Sequence, residues 1–95
     1  MAADIEKLVA DKFLDLGELM EGKWLENHTI IEQRRKNMYT RRVIVQRAES
    51  HGIVAWRWVD CTNAAILDYG LPTLDRIGCV LVAREHVERT REFWK

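Results

Sequence analysis

The stretch from Arg41 to Cys61, RRVIVQRAESHGIVAWRWVDC, constrains the fold more than any other part of this chain. Two runs rich in β-branched and aromatic residues flank Glu49-Ser50-His51-Gly52, which is the pattern of a β-hairpin. A two-residue loop at His51 and Gly52 sets Arg47 opposite Trp56 and Val45 opposite Trp58. Val43, Val45, Val54, Trp56 and Trp58 then share one face. Left bare, two indoles beside three valines would exceed the ~300–600 Å² of the largest apolar patch on a typical monomer. That face must be covered.

The other face carries Ile44, Ala48, Ile53, Ala55, Val59 and Cys61, but places Gln46 across from Arg57 at its centre. Polar groups are costly to bury unpaired, at about 1–3 kcal/mol each. The tryptophan face is therefore expected to be core, covered by the first helix. Ile44, Arg57 and Val59 are expected to form the more open side, suited to a partner or a second copy of the chain.

Residues 4–21 predict that first helix: Ile5, Leu8, Val9, Phe13, Leu16, Leu19 and Met20 recur at helical spacing, and Gly22 follows as a stop. Residues 29–38 fit two readings. Thr29-Ile30-Ile31-Glu32 is a capping box and favours a helix; the alternative is a strand paired with 40–48 that turns near Lys36-Asn37. Thr62 to Asp75 reads as a connector with room for one helical turn around Ala64-Ala65-Ile66-Leu67, broken by Gly70 and Pro72. The apolar run Ile77 to Ala83 suits a buried strand. Arg84 to Trp94 suits a charged helix with Arg84/Glu88 and Glu85/Arg89 four residues apart. The expected fold is a two-layer α+β domain spanning residues 1–95. It has an antiparallel sheet of three to four strands, an N-terminal amphipathic helix and a C-terminal helix, with helices mainly on one face.

Ninety-five residues allow one modest core. An apolar fraction of 47% with 32% charged residues is that of a folded globule rather than a disordered chain. The formal net charge is zero, so the field of the whole molecule predicts no affinity for nucleic acid or an anionic membrane. The charge is uneven, however. The first helix carries a net −4, while residues 32–47 carry +5 through Arg34, Arg35, Lys36, Arg41, Arg42 and Arg47 against Glu32. Intramolecular pairing or plain solvation accounts for such a contrast most simply. A basic patch for an acidic protein or a nucleic-acid backbone is the functional alternative. No leader or apolar run of ~20 residues is evident, so the expected location is the cytoplasm. Cys61 and Cys79 are expected as reduced thiols, and the Asn27-His28-Thr29 sequon as chance.

Nothing in the chain resembles a phosphate loop, a dinucleotide fingerprint, a nucleophile elbow or a zinc-ligand set, so neither a cofactor nor a metal is expected. His28, His51 and His86 stand apart, His51 in a turn and His86 on a helix surface. Asp60-Cys61-Thr62-Asn63 puts a carboxylate beside a thiol, but a nucleophile needs a base within reach; a cap for the connector is the simpler role. Catalysis is not expected. The surplus of arginine and tryptophan, residue types enriched at interface hot spots, points to a protein-interaction module. It would be an accessory or inhibitory protein acting by occlusion, in keeping with a phage or mobile-element product and with a homodimer. Its contact residues would be Arg34, Arg35, Arg41, Arg42, Ile44, Arg57 and Val59. A nucleic-acid binder using residues 34–47 is the alternative.

Overall fold

A computed structural model describes residues 4–11, 16–35 and 39–94. The order is α1 (Asp4–Ala10), α2 (Leu16–Glu21), β1 (Leu25–Arg35), β2 (Tyr39–Ser50), β3 (Ile53–Thr62), β4 (Ala65–Tyr69), α3 (Arg76–Arg89) and a closing 3₁₀ turn (Arg91–Trp94). The four strands form one antiparallel sheet in the order β1-β2-β3-β4. The α+β class and the antiparallel sheet expected from the sequence are those of the structure.

The central hairpin has the anticipated register, with Arg47 facing Trp56 and Val45 facing Trp58. Its loop residues both have positive φ, 52° at His51 and 78° at Gly52. That is the backbone of a type I′ turn, whose twist matches the strands it joins. Histidine tolerates this region better than most residues and glycine does so at no steric cost.

Residues 29–35 are strand, not helix. They lie inside β1, with Thr29 opposite Ile44 and Glu32 opposite Arg42. Register shifts near Asn27 and Ile30 interrupt the ladder. The second shift lets the consecutive Ile30 and Ile31 both reach the Val43/Val45 cluster. Helix propensity in the Thr29–Glu32 box is worth tenths of a kcal/mol, and tertiary pairing with β2 overrides it. The expected turn at Lys36-Asn37 lies outside the described residues.

The connector also proves to be strand. Asn63 and Ala64, at φ 50° and 71°, form a second tight turn that leads into β4. Thr40 on β2 secures it: the Thr40 N–H donates to Asn63 Oδ1, and the Asn63 N–H donates to the Thr40 carbonyl, each at 3.0 Å. The run at 77–83, expected as a strand, is the first half of α3. Asp75 is its N-cap, and the Cys79 N–H donates to the Asp75 carbonyl at 3.0 Å. Cys79, Val80, Ala83 and His86 turn inward at helical spacing. Ile77, Leu81 and Val82 turn outward, so only half of that apolar run is core.

The helix expected over 4–21 is two pieces, α1 and α2, and residues 12–15 between them lie outside the described part. The helices are also divided differently from expectation. Val43, Val45 and Trp58 are indeed core, but α3 covers them, through Cys79, Val80 and Ala83. Ile5 of α1 and Leu19 of α2 instead pack on Ala48 and Ala55, which point to the opposite face. Trp24 and Leu74 border this second cluster. The β2–β3 hairpin is thus gripped from both sides. Among the described residues, no helix is long and apolar enough to cross a membrane.

Candidate functional site

The residues singled out in the basic segment do not converge. Arg41 is 1% exposed and points under α3, so it lines no open patch. Arg42 bonds to Glu26 and lies 3.8 Å from Glu32, both on β1. Arg47 reaches Glu49 at 3.3 Å. Arg34 is exposed on β1. Arg35 sits opposite Tyr39, and its side chain lies outside the described part. Among the described side chains of this segment, Arg41 is therefore in the core, Arg42 and Arg47 lie in local ion pairs, and Arg34 is exposed.

Ile44, Arg57 and Val59 do share the face opposite the tryptophans, yet they are not open: their exposures are 6%, 8% and 0%. Arg57 Nε donates to Gln46 Oε1 at 2.8 Å, which pairs with each other the two polar groups that made this face costly on paper. Its guanidinium lies 4.5 Å from the centroid of the Trp24 ring. Burial lowers the Arg57 pKa, against the opposing pull of Tyr69 and Cys61.

Arg41 finds its partner in Asp60. Nε donates to Oδ1 at 3.1 Å and Nη2 to Oδ2 at 2.8 Å, a bidentate pair. His86 Nε2 lies 2.8 Å from the same Oδ2. Arg41 Nη2 also donates to Thr90 Oγ1 at 2.6 Å, and that hydroxyl donates to the His86 carbonyl at 2.8 Å. The cluster fastens β2 and β3 to the last turn of α3. Burial pushes the Asp60 carboxyl up, but the Arg41 and His86 hydrogen bonds and charges outweigh it and hold it below the usual carboxylate range. Asp60 is thus not a cap for a connector, and His86, at 6% exposure, is not a surface residue. The hairpin register already contained the signal for the first pair: Arg41 and Asp60 lie diagonally on the tryptophan face. The role of His86 was hidden because the strand reading of 77–83 put it on a separate, surface helix.

Among the described residues, no hydrogen bond joins His86 to a serine or cysteine hydroxyl or thiol. Burial pushes the Cys61 thiol up, and takes Cys79 up to about 11. Both are free cysteines and stay protonated near neutral pH, the unreactive form. No group of three metal-ligating side chains exists among the described residues.

The unusual surface lies elsewhere. Ile66, Leu67, Tyr69, Leu71, Ile77, Leu81 and Val82 are all exposed large hydrophobics, drawn from β4, the bend after it and the outer side of α3. They do not share one face. Ile66 and Tyr69 pair with Cys61 and Val59 and lie away from α3, where Ile66 borders a pocket of about 310 Å³. On the α3 side, Leu71 and Val82 border a pocket of about 320 Å³ with Trp58, Gly70, Thr73, Gly78 and Cys79. Its walls depend on a glycine. A Cβ on Gly70 would stand 2.2 Å from Trp58 Nε1, so only glycine lets the chain pass the indole this closely. The Gly70 N–H donates to the Trp58 carbonyl at 3.0 Å, and Trp56 and Thr73 exchange a pair of 2.8 Å bonds. Leu71, between these anchors, is 79% exposed. Sequence reading missed this region because a connector and a buried strand were expected where an edge strand and an outward helix face exist.

Comparison with family models, with curated proteins and with solved structures finds no match for this chain.

Proposed function

We propose that this chain is a protein-interaction module that works by binding and covering a surface of a partner protein, as an accessory or inhibitory protein would. The observation that carries this reading is the exposed apolar surface of the bend after β4 and the outer side of α3, formed by Leu71, Ile77, Leu81 and Val82, where Leu71 and Val82 border the pocket beside Trp58. Apolar surface gathered in this way marks a contact site more often than singly scattered residues do. The arginines first expected at the contact carry less of the argument, since Arg41 is buried and Arg42 and Arg47 already face glutamates. The same pairing weakens the nucleic-acid alternative. A cytoplasmic setting is part of the proposal and is consistent with two free thiols.

The test is affinity capture with the chain and with a Leu71→Asp, Leu81→Asp double variant, followed by reconstitution of the purified pair. The reading expects a protein that binds the chain directly and is lost by the variant. Binding should change little with salt, because an apolar contact releases few counterions, whereas backbone neutralisation of nucleic acid falls steeply with salt. Recovery of nucleic acid with such a steep salt dependence would replace the reading.

A further inference from the structure

We propose that the occupant of this surface is an extended segment of the partner protein. It adds a strand to the open edge of β4 and seats one large apolar side chain, next to a lysine or arginine, in the pocket beside α3. The proposal rests on the protein-binding reading and names the form of its ligand.

Among the described residues, β4 is the last strand of the sheet and pairs only with β3. Its outer side therefore offers backbone N–H and C=O groups to a further strand. The open stretch has a definite end. The Gly70 N–H points inward to the Trp58 carbonyl. The Tyr69 N–H before it therefore faces outward, where Asp68 Oδ1 accepts it at 2.9 Å in a local bond that an added strand would displace. Pro72 has no N–H to give. The pocket begins at that end, with Gly70 and Leu71 in its wall. An added strand lies ~4.8 Å outside β4 and turns alternate side chains to each face. On the helix side, one of them meets the pocket mouth. A volume of about 320 Å³ is at the small end for ligand pockets (~300–1,000 Å³) and accommodates one side chain.

Charge specifies the neighbour. Gly78 and Val82 line the pocket, and Glu85 and Arg89 continue their stripe at i+7 and i+11 from Gly78. Asp68 is exposed on β4 opposite Asp60, hence on the face of the sheet that α3 covers. Asp75 caps the same helix. Asp68, Asp75 and Glu85 thus stand around the site against Arg76, whose charge reaches Cys79 in the pocket wall, and Arg89 at its far end, which leaves a net negative charge. This field attracts a cation beside the apolar anchor. It also opposes a second copy: a two-fold pairing of β4 with itself puts both Asp68 carboxylates on the same face of adjoining strands, a repulsive arrangement.

The probe is a phage-displayed library of random heptapeptides, selected on the folded chain, with enriched sequences then made as synthetic peptides. The proposal expects sequences with a large apolar residue adjacent to lysine or arginine. Bound peptide should slow amide exchange at Ala65–Tyr69. Val82→Trp, which fills the pocket, and Asp68→Lys, which reverses the edge charge, should each weaken binding about tenfold or more while circular dichroism stays native. No enrichment, enrichment of acidic peptides, or binders indifferent to both variants would overturn it. So would a dimer in sedimentation that Val82→Trp breaks, which would give the surface to a second copy. Partner capture lost in the Leu71/Leu81 variant but retained in Val82→Trp and Asp68→Lys would leave protein binding standing and remove the strand-and-pocket mode.

Discussion

The imidazole of His86 lies against the indole of Trp58, with ring centroids 4.3 Å apart and planes inclined by 27°. One aromatic contact thus joins the central hairpin to α3, and the same imidazole completes the hydrogen bonding of Asp60 at 2.8 Å. His86→Ala removes the stack and one of the donors to a buried carboxylate. It should cost about 2–4 kcal/mol in urea unfolding. A loss under about 0.5 kcal/mol would show that α3 docks without it.

Asp60→Asn should be worse. It leaves Arg41 buried with no counter-charge, and breaking a buried pair from one side costs about 3–5 kcal/mol. The urea midpoint should fall further than for His86→Ala, and equal midpoints would contradict this ranking.

Acid should act through the same carboxylate. The folded-state pKa of Asp60 lies below the usual value, so the unfolded chain takes up the proton first as pH falls. Stability from this group is full above the unfolded value of about 4 and is lost on acidification below it, through the lower folded value. The unfolding midpoint of the wild type should therefore drop between pH 4 and pH 2 more steeply than that of Asp60→Asn. Parallel profiles would exclude Asp60 as the source.

Ala64 stands at φ 71° in the β3–β4 turn, a conformation costing roughly 1–2 kcal/mol for a residue with a Cβ. Ala64→Gly relieves that strain, and the greater freedom of glycine in the unfolded chain returns part of the gain. The net expectation is a stabilisation of about 0.5–1 kcal/mol, seen as a higher Tm by differential scanning calorimetry. A lower Tm would mean the turn relaxes differently.

The N-terminal helices should be essential to the fold through Leu19, which is 2% exposed. Leu19→Asp places a carboxylate among Ile5, Ala48 and Ala55 and should cost about 3 kcal/mol or more. A thermal melt like the wild type would detach these helices from the core.

What the sequence made legible was the part governed by short-range rules. The hairpin, its register and its loop followed from β-branched alternation around His51-Gly52. Elements whose identity depends on distant partners were not legible. Residues 29–35 carry helix-start chemistry, and only β2 decides for a strand. Asn63-Ala64 lacks the glycine that announces a tight turn, so β4 was hidden. The run at 77–83 is apolar on both sides, which is how a buried strand looks; nothing local says that Ile77, Leu81 and Val82 are exposed. The contact residues suffered likewise. Burial of Arg41, Ile44, Arg57 and Val59 depends on where α3, Trp24 and β4 settle, which pattern alone does not give.

That two-sided apolar character has a consequence for α3 itself. Hydrophobicity cannot choose its rotation, because Ile77, Leu81 and Val82 would bury about as favourably as Cys79, Val80 and Ala83. The polar cluster beneath the helix can choose. Rolling α3 by one residue, ~100°, swings His86 away from Asp60 and Thr90 away from Arg41. The lost bonds would each strand a buried polar group at about 1–3 kcal/mol. The ionic contact therefore acts as a key that admits one angular setting of an otherwise ambiguous cylinder, and so determines which apolar stripe remains outside.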